Sequence, residues 1–183
     1  GELCAILLLS GREGVALDVG NANAAHPALA QLSVTDADKS QRAVQTRLFV
    51  ADGQDNHRRP IHRTFAEYLA ARHLAQRIQV RGLPLSRVLA WMGNSDGGVV
   101  AGLRGLHAWL AVHCPACRDT LIERDPLGVL LYGDAAGFAT ADRLKVLRAL
   151  EQEARRYPWF RNVDWRSSPF GALGKPDMAD ALR

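Results

Sequence analysis

The chain has 183 residues, of which 48% are apolar, and it carries a formal net charge of +4. A chain of this size and apolar content can bury the core of one or two domains, which excludes a disordered or a fibrous protein. The positive charge is spread along the sequence, so it argues against a dedicated nucleic-acid-binding face.

Three cysteines, an odd and low number, favour a reducing, cytoplasmic location. The apolar run from Leu3 to Leu9 is too short to span a membrane and lacks the basic region of a signal peptide, so we expect no membrane association. The first residue is Gly1 rather than Met, and we therefore expect the chain to be a piece of a larger protein.

The amino-terminal part of the sequence predicts a helix, a short strand and a second helix. The first helix covers Leu3 to Ser10, is apolar on every side and ends at Gly11, a residue typical of helix C-caps. A short strand is expected over Val15 to Val19. A second helix is expected to start after Thr35, as its N-cap, and to run to about Thr46.

A β-hairpin is predicted next. One strand lies around Leu48 to Val50, and the other runs from Arg58 to His62, on either side of a turn rich in Asp, Asn and Gly. Because proline cannot donate a backbone hydrogen bond, Pro60 predicts that the second strand lies at the edge of its sheet.

A longer helix follows the hairpin and continues to Ile78. Thr64 and Glu67 have the spacing of a capping box at its start. Apolar and aromatic residues recur at helical spacing and predict one buried face, made of Ile61, Phe65, Tyr68 and Leu69.

The stretch from Ile61 to Arg72 reads Ile-His-Arg-Thr-Phe-Ala-Glu-Tyr-Leu-Ala-Ala-Arg. It resembles the end of the winged-helix module in NACHT-type signalling NTPases of the STAND class, where the pattern is roughly apolar-x-His-x-Ser/Thr-Phe-Gln/Ala-Glu-Tyr/Phe-Leu-Ala-Ala. In that family the module follows a P-loop ATPase domain, and its histidine contacts the β-phosphate of bound ADP in the resting state. The resemblance implies this role for His62, whereas the residues alone favour a strand-end histidine bonded to the backbone.

The resemblance also implies partners and ligands. It implies an NTPase domain in the same chain with ADP or ATP and Mg²⁺ as its ligands, a homo-oligomer on activation, and a trigger ligand of unknown identity. The nearest string to a Walker A loop, Gly171-Ala-Leu-Gly-Lys-Pro176, is two residues too short and lacks the hydroxyl residue. We therefore predict that this chain is not itself an enzyme and binds no cofactor by itself.

Residues 80–183 predict helices separated by glycine and proline. The expected helices cover Leu85 to Met92, Val99 to His113, Arg118 to Glu123, a stretch from Pro126 to about Gly133, a longer one from Thr140 to Tyr157, and Pro176 to Leu182. Antiparallel helices joined by short loops are typical of an α-solenoid, although no strong repeat of fixed period is present.

A DNA-binding winged-helix regulator is the alternative function. Arg58, Arg59 and Arg63, together with His57 and His62, form a basic cluster on the predicted wing, which could contact phosphates. We favour a solvated turn or an intramolecular contact of this cluster with an NTPase domain, and nucleic acid is not an expected partner.

A zinc or thiol-redox protein is a third hypothesis, built on Cys114-Pro-Ala-Cys117 and the adjacent His113. A redox motif requires a preceding strand, and a structural zinc ion requires four ligands. The motif here follows an amphipathic helix and offers three ligands, which favours cysteines packed as small apolar groups.

Together these features predict a mainly α protein. A winged-helix-like module with a short β-hairpin is expected over residues 1–79, and a truncated α-helical, HEAT-like repeat region over residues 80–183. The predicted function is a regulatory and scaffolding part of a NACHT/STAND-like NTPase, which holds the resting nucleotide-bound state and couples ligand sensing to oligomerisation.

Overall fold

The computed structural model describes residues 1–156, which fall into two compact units, Gly1–Arg81 and a second unit that begins at Gly82. The described residues are mainly helical and include one small antiparallel sheet, which confirms the prediction of a mainly α protein. Among these residues, none of the helices has the length and apolarity needed to cross a bilayer. The predicted helix at Pro176 to Leu182 and the string at Gly171 to Pro176 lie outside the described residues.

The first unit contains three helices and three strands. They are α1 (Glu2–Leu9), β1 (Val15–Ala16), α2 (Ala37–Val44), β2 (Phe49–Asp52), β3 (Gln54–Pro60) and α3 (Arg63–Arg81). The strands form a sheet in the order β1-β3-β2, and both pairings are antiparallel.

Helix α1 ends as the sequence predicts. Gly11 has a φ of 66°, in the left-handed region that glycine adopts without strain. The N–H of Gly11 donates to the Leu8 carbonyl at 3.2 Å, and that of Arg12 donates to the Leu7 carbonyl at 2.9 Å. These two bonds form a Schellman motif, which satisfies the carbonyls at the end of the helix.

Strand β1 is shorter than predicted and stops at Ala16. Leu17 and Asp18 form a bend, and one turn of 3₁₀ helix, Val19–Asn21, follows it. The Asp18 carboxylate caps this turn, because it accepts from the Asn21 backbone N–H at 2.9 Å.

The prediction that Pro60 lies on an edge strand is wrong, because β3 is the central strand. Pro60 is the last residue of β3 and pairs with Phe49 of β2, whereas β1 reaches only Arg58 and His57. The next ladder bond runs from the Ile61 N–H to the Leu48 carbonyl at 2.9 Å. The absent N–H of Pro60 therefore costs the sheet no hydrogen bond.

The N-cap of α2 is Asp36 rather than Thr35. The Asp36 carboxylate accepts from the Lys39 backbone N–H at 2.9 Å, and the helix ends at Val44 rather than Thr46. The Thr35 hydroxyl instead donates to the Glu2 carboxylate at 2.5 Å, which joins the start of α1 to the start of α2.

Helix α3 buries a different face from the one predicted. Its buried residues are Ala66, Glu67, Ala70, Ala71, Leu74 and Ala75. Ile61 and Phe65 are exposed, so the prediction that they line the core is wrong. Small alanine side chains allow α1 and α3 to approach closely, whereas Phe65 projects from the opposite side of the first turn.

Between Gly82 and residue 156, the second unit contains five α-helices. They are α4 (Leu85–Met92), α5 (Arg104–His113), α6 (Arg118–Arg124), α7 (Pro126–Tyr132) and α8 (Thr140–Arg156). The helix predicted from Val99 begins later, because Val99 forms a β-bridge with Gly93 and a 3₁₀ turn, Ala101–Leu103, precedes α5.

Asp125 connects two helices of the second unit. Its carboxylate caps α7 by accepting from the Gly128 N–H at 2.8 Å, and it also accepts two bonds from the Arg104 guanidinium at 2.8 and 2.7 Å. This bidentate pair is largely shielded from water and fixes the start of α5 against the start of α7.

The core of the second unit contains a histidine. His107 is fully buried, as are Leu106 and Leu110 on the same helix, and neither ring nitrogen has a hydrogen-bond partner within residues 1–156. Desolvation by burial is the main cause that lowers the pKa of His107 to about 4.

We expect this histidine to reduce stability in acid. The unfolded chain binds a proton near the ordinary histidine pKa of about 6.5, whereas the folded chain does not until about pH 4. The His107 contribution is therefore fully present above pH 6.5 and is lost as the pH falls, by roughly 3 kcal/mol in total. Urea unfolding of His107→Leu should show a correspondingly weaker loss of stability between pH 6.5 and 4.

Val80→Ala is the control, because Val80 is 74% exposed and carries no titratable group. It should keep the pH dependence of the original protein. Equal pH dependence in His107→Leu and Val80→Ala would contradict this account.

Candidate functional site around His62

His62 lies at the junction between the sheet and the longest helix of the first unit. It follows β3 and directly precedes α3, and its carbonyl accepts from the Ala66 N–H at 3.2 Å. This bond gives His62 the N-cap position, so the first amides of α3 lie next to it. The residue itself is exposed.

The predicted capping box is wrong, because α3 begins one residue before Thr64 and includes it in the first turn. The carboxylate of Glu67 accepts from the Arg63 Nε at 2.9 Å instead of reaching back to Thr64. Glu67 is largely buried, and burying an unpaired carboxylate costs free energy. The ion pair with Arg63 offsets part of this cost.

Three large apolar side chains are exposed close to His62. Phe65 is 52% exposed, Leu48 44% and Ile61 36%. The His62 and Phe65 rings have centroids 6.0 Å apart, and the Ile61 N–H bonds to the Leu48 carbonyl. We call Leu48, Ile61, His62 and Phe65 the His62 surface. Its apolar part is one that a bound partner could cover.

The predicted basic cluster does not form one cationic face. His57 is buried, with its Nε2 2.7 Å from the Asn21 carbonyl oxygen. Arg59 pairs with Asp52 at 3.1 Å, and Arg63 pairs with Glu67. The Arg58 guanidinium donates to the His57 carbonyl at 2.9 Å. The three arginines therefore make contacts within the chain, and fewer of their positive charges can contact the phosphates of a nucleic acid.

A cleft of about 340 Å³ lies elsewhere in the first unit. Its walls include the starts of α1 and α2 and the second half of α3, with Glu2, His73 and Arg77 among the lining residues. His62 is not part of this cleft, so the cleft does not help to assign a role to His62.

A polar cluster in the loops around the sheet has no counterpart in the sequence predictions. His26 Nε2 lies 2.8 Å from Asp52 Oδ2, and the His26 ring stacks on His57 with centroids 4.4 Å apart. Glu13 completes the cluster. No short motif could have revealed it, because 26 residues separate His26 from Asp52.

The cysteine pair occupies a buried position at the end of α5. The two sulfur atoms of Cys114 and Cys117 lie 2.7 Å apart, and both residues are buried. Two causes raise the pKa of Cys117 to about 12: the larger is desolvation by burial, and the smaller is the hydrogen bond and charge of the neighbouring Cys114. Within residues 1–156, the one group with metal-ligand spacing includes neither cysteine. An acidic, reactive thiol and a zinc site therefore both lack structural support.

We expect the native thiols to react slowly with an aromatic disulfide reagent. With a pKa near 12, only about one Cys117 in ten thousand is ionised at pH 8. All three cysteines are buried, so reaction should require unfolding in guanidinium. The reaction is followed by absorbance of the released thiolate.

Ser95→Cys serves as the control for this measurement, because Ser95 is exposed. Its introduced thiol should react at the rate of a small-molecule thiol. A native cysteine that reacted as fast would contradict the burial of the pair and favour a redox role.

A comparison with known proteins finds no matching family model, no similar curated protein and no similar solved structure. The resemblance of Ile61 to Arg72 to the NACHT-type winged helix is therefore a prediction from the sequence.

Proposed function

We propose that this chain is a regulatory and scaffolding part of a NACHT/STAND-like NTPase. In this proposal His62 helps to hold ADP in the resting state, opposite an NTPase domain carried by the same protein. The observation that carries the proposal is the placement of His62, which is exposed at the start of α3 and is surrounded by the exposed apolar residues of the His62 surface.

The start of α3 suits contact with a phosphate. The first amides of an α-helix have no acceptor within the helix, and the helix dipole makes this end partly positive. The imidazole of His62, at the N-cap position, adds a side-chain N–H donor beside these amides. One histidine and one helix end bind a nucleotide weakly, so the remaining contacts come from the NTPase domain.

The apolar part of the His62 surface suits a domain interface. Phe65, Ile61 and Leu48 expose apolar area that is removed from water when another domain covers it. Closure of the NTPase domain over this surface would bury these side chains and place His62 at the nucleotide. Release would expose them, so the same surface couples nucleotide state to domain opening.

The order of elements in the first unit supports a winged-helix-like module. Helix α1 and strand β1 precede α2, and the β2–β3 hairpin then places β3 between β1 and β2. The hairpin is the small wing, and α3 leaves it directly.

The second unit is proposed to be a HEAT-like region. Helix α5 packs against α6 and α7, and α8 packs against the same two helices, so contacts run between near neighbours in sequence. This local packing supports a repeat stack, in which each helix pair contacts its neighbours. The unequal helix lengths, from 7 to 17 residues, explain why the sequence has no fixed repeat period.

The proposed mechanism is a population shift. A trigger ligand or nucleotide exchange favours the open state, which is competent to form a homo-oligomer. The chain itself has no Walker A loop in its sequence, and we expect no ATP hydrolysis by residues 1–183 alone.

The test uses a protein in which the NTPase domain and residues 1–183 are present together. We expect His62→Ala to accelerate ADP release by about tenfold, because it removes one hydrogen bond to a phosphate. Bound ADP is followed by fluorescence of a labelled nucleotide, and oligomerisation without trigger is followed by light scattering.

Arg72→Ala is the matched control for this experiment, because Arg72 is exposed on α3 outside the His62 surface. It should leave ADP retention unchanged. ADP retention and activation that are the same in His62→Ala as in the unmodified protein would refute the proposed role.

DNA binding by the wing is the alternative that the ion pairs disfavour. Arg59 and Arg63 would first have to leave Asp52 and Glu67. DNA binding that depends steeply on salt and weakens when Arg58, Arg59 and Arg63 are neutralised would instead favour the DNA-binding regulator.

A further inference from the structure

We propose that Glu13, His26 and Asp52 form a binding site for one divalent transition-metal cation. Each residue offers one ligand atom, and the three atoms lie within 4.8 Å of one another. They come from three separate segments of the first unit: the loop after α1, the loop before α2 and the end of β2. This site is independent of the function proposed for His62.

The spacing of the closest two ligand atoms matches a coordination polyhedron. His26 Nε2 and Asp52 Oδ2 are 2.8 Å apart. Two ligands at about 2.0–2.1 Å from one ion, at right angles to each other, are separated by about 2.9 Å. An ion could therefore replace the hydrogen bond between these two atoms with little movement of either side chain.

His26 is fixed in position before any ion binds. Its ring is largely buried and stacks in parallel on His57, which is itself held by the Asn21 carbonyl. Gly14 permits this packing, because a Cβ there would lie 2.8 Å from His26 Cδ2 and 2.3 Å from the Arg58 carbonyl oxygen. The loop that carries Glu13 can thus pass directly over the imidazole.

Asp52 is positioned by the strand and by an arginine. The register of β2 against β3 shifts between Ala51 and Asp52, a bulge of the kind that redirects a side chain. Arg59 Nε binds Asp52 Oδ1 at 3.1 Å, which leaves Oδ2 directed at His26. Arg59 acts as an outer partner of a ligating carboxylate, an arrangement that orients ligands in metal sites.

The ligand types select the class of metal. One imidazole nitrogen and two carboxylate oxygens suit Zn²⁺, Mn²⁺, Fe²⁺ or Co²⁺, whereas Mg²⁺ and Ca²⁺ prefer oxygen ligands alone. The two carboxylates and the Arg59 guanidinium leave one net negative charge, so a divalent cation is attracted. The exposed Glu13 and the partly exposed Asp52 leave room for water in the remaining positions.

The test is a Co²⁺ titration of the 183-residue chain after treatment with a chelator. We expect one Co²⁺ per chain, weak d–d absorption without sulfur-to-cobalt charge transfer, and a higher unfolding temperature at saturation. Glu13→Gln should weaken binding by about tenfold or more, because it replaces one anionic ligand. Glu13 is exposed, so this substitution should leave the fold intact, which circular dichroism verifies.

Asp38→Asn is the matched control, because it removes an exposed carboxylate on α2 outside the cluster. It should bind Co²⁺ as the unmodified chain does. Equal affinity of Glu13→Gln and Asp38→Asn would overturn the proposal. So would the absence of saturable binding up to millimolar Co²⁺. Charge-transfer bands that disappear in Cys114→Ser would place the ion at the cysteine pair and overturn it as well.

Discussion

The first unit depends on the close packing of α1 against the alanine-rich face of α3. Ala66, Ala70, Ala71 and Ala75 are almost completely buried, and they leave no side-chain bulk to separate the two helices. The approach is tight enough that a Cβ on Gly1 would lie 2.8 Å from the Leu69 carbonyl oxygen. The residues that α1 buries in this packing are apolar: Leu3, Cys4, Ala5 and Leu7.

This packing determines which residues α3 exposes. The face that carries the alanines is turned inward, so Phe65 and the preceding Ile61 and His62 are turned toward solvent. The same geometry that stabilises the core therefore creates the His62 surface. Three exposed apolar side chains lie close to a helix N-terminus here, and this combination motivates the proposed contact with an NTPase domain.

Local signals in the sequence were reliable where a backbone requirement was strong. Gly11 ends α1 with a positive φ, and Pro126 begins α7, as glycine and proline geometry predicts. The sequence predicted the capping residues of the helices less well, because two or three adjacent polar residues can each cap the same helix end. Asp36 rather than Thr35 caps α2, and Arg63 takes the carboxylate of Glu67 that a capping box would use.

Long-range features were not predictable from the sequence. The central position of β3 depends on pairing with β1, about 40 residues earlier, and the hairpin alone suggested an edge strand. The buried face of α3 was misjudged because large apolar residues were taken as the core, whereas packing against α1 selects small ones. The approach of Glu13, His26 and Asp52 also results from the fold rather than from spacing along the chain.

The stability of Ala70→Leu tests the importance of the α1–α3 contact most directly. Ala70 is fully buried, so a leucine there should lower the free energy of unfolding in urea by about 1–3 kcal/mol through overpacking. Arg72→Leu adds a leucine on the exposed side of the same helix and should change stability by less than about 0.5 kcal/mol. If both variants were equally stable, close packing would not hold α3 in place and the position of His62 would lose its structural basis.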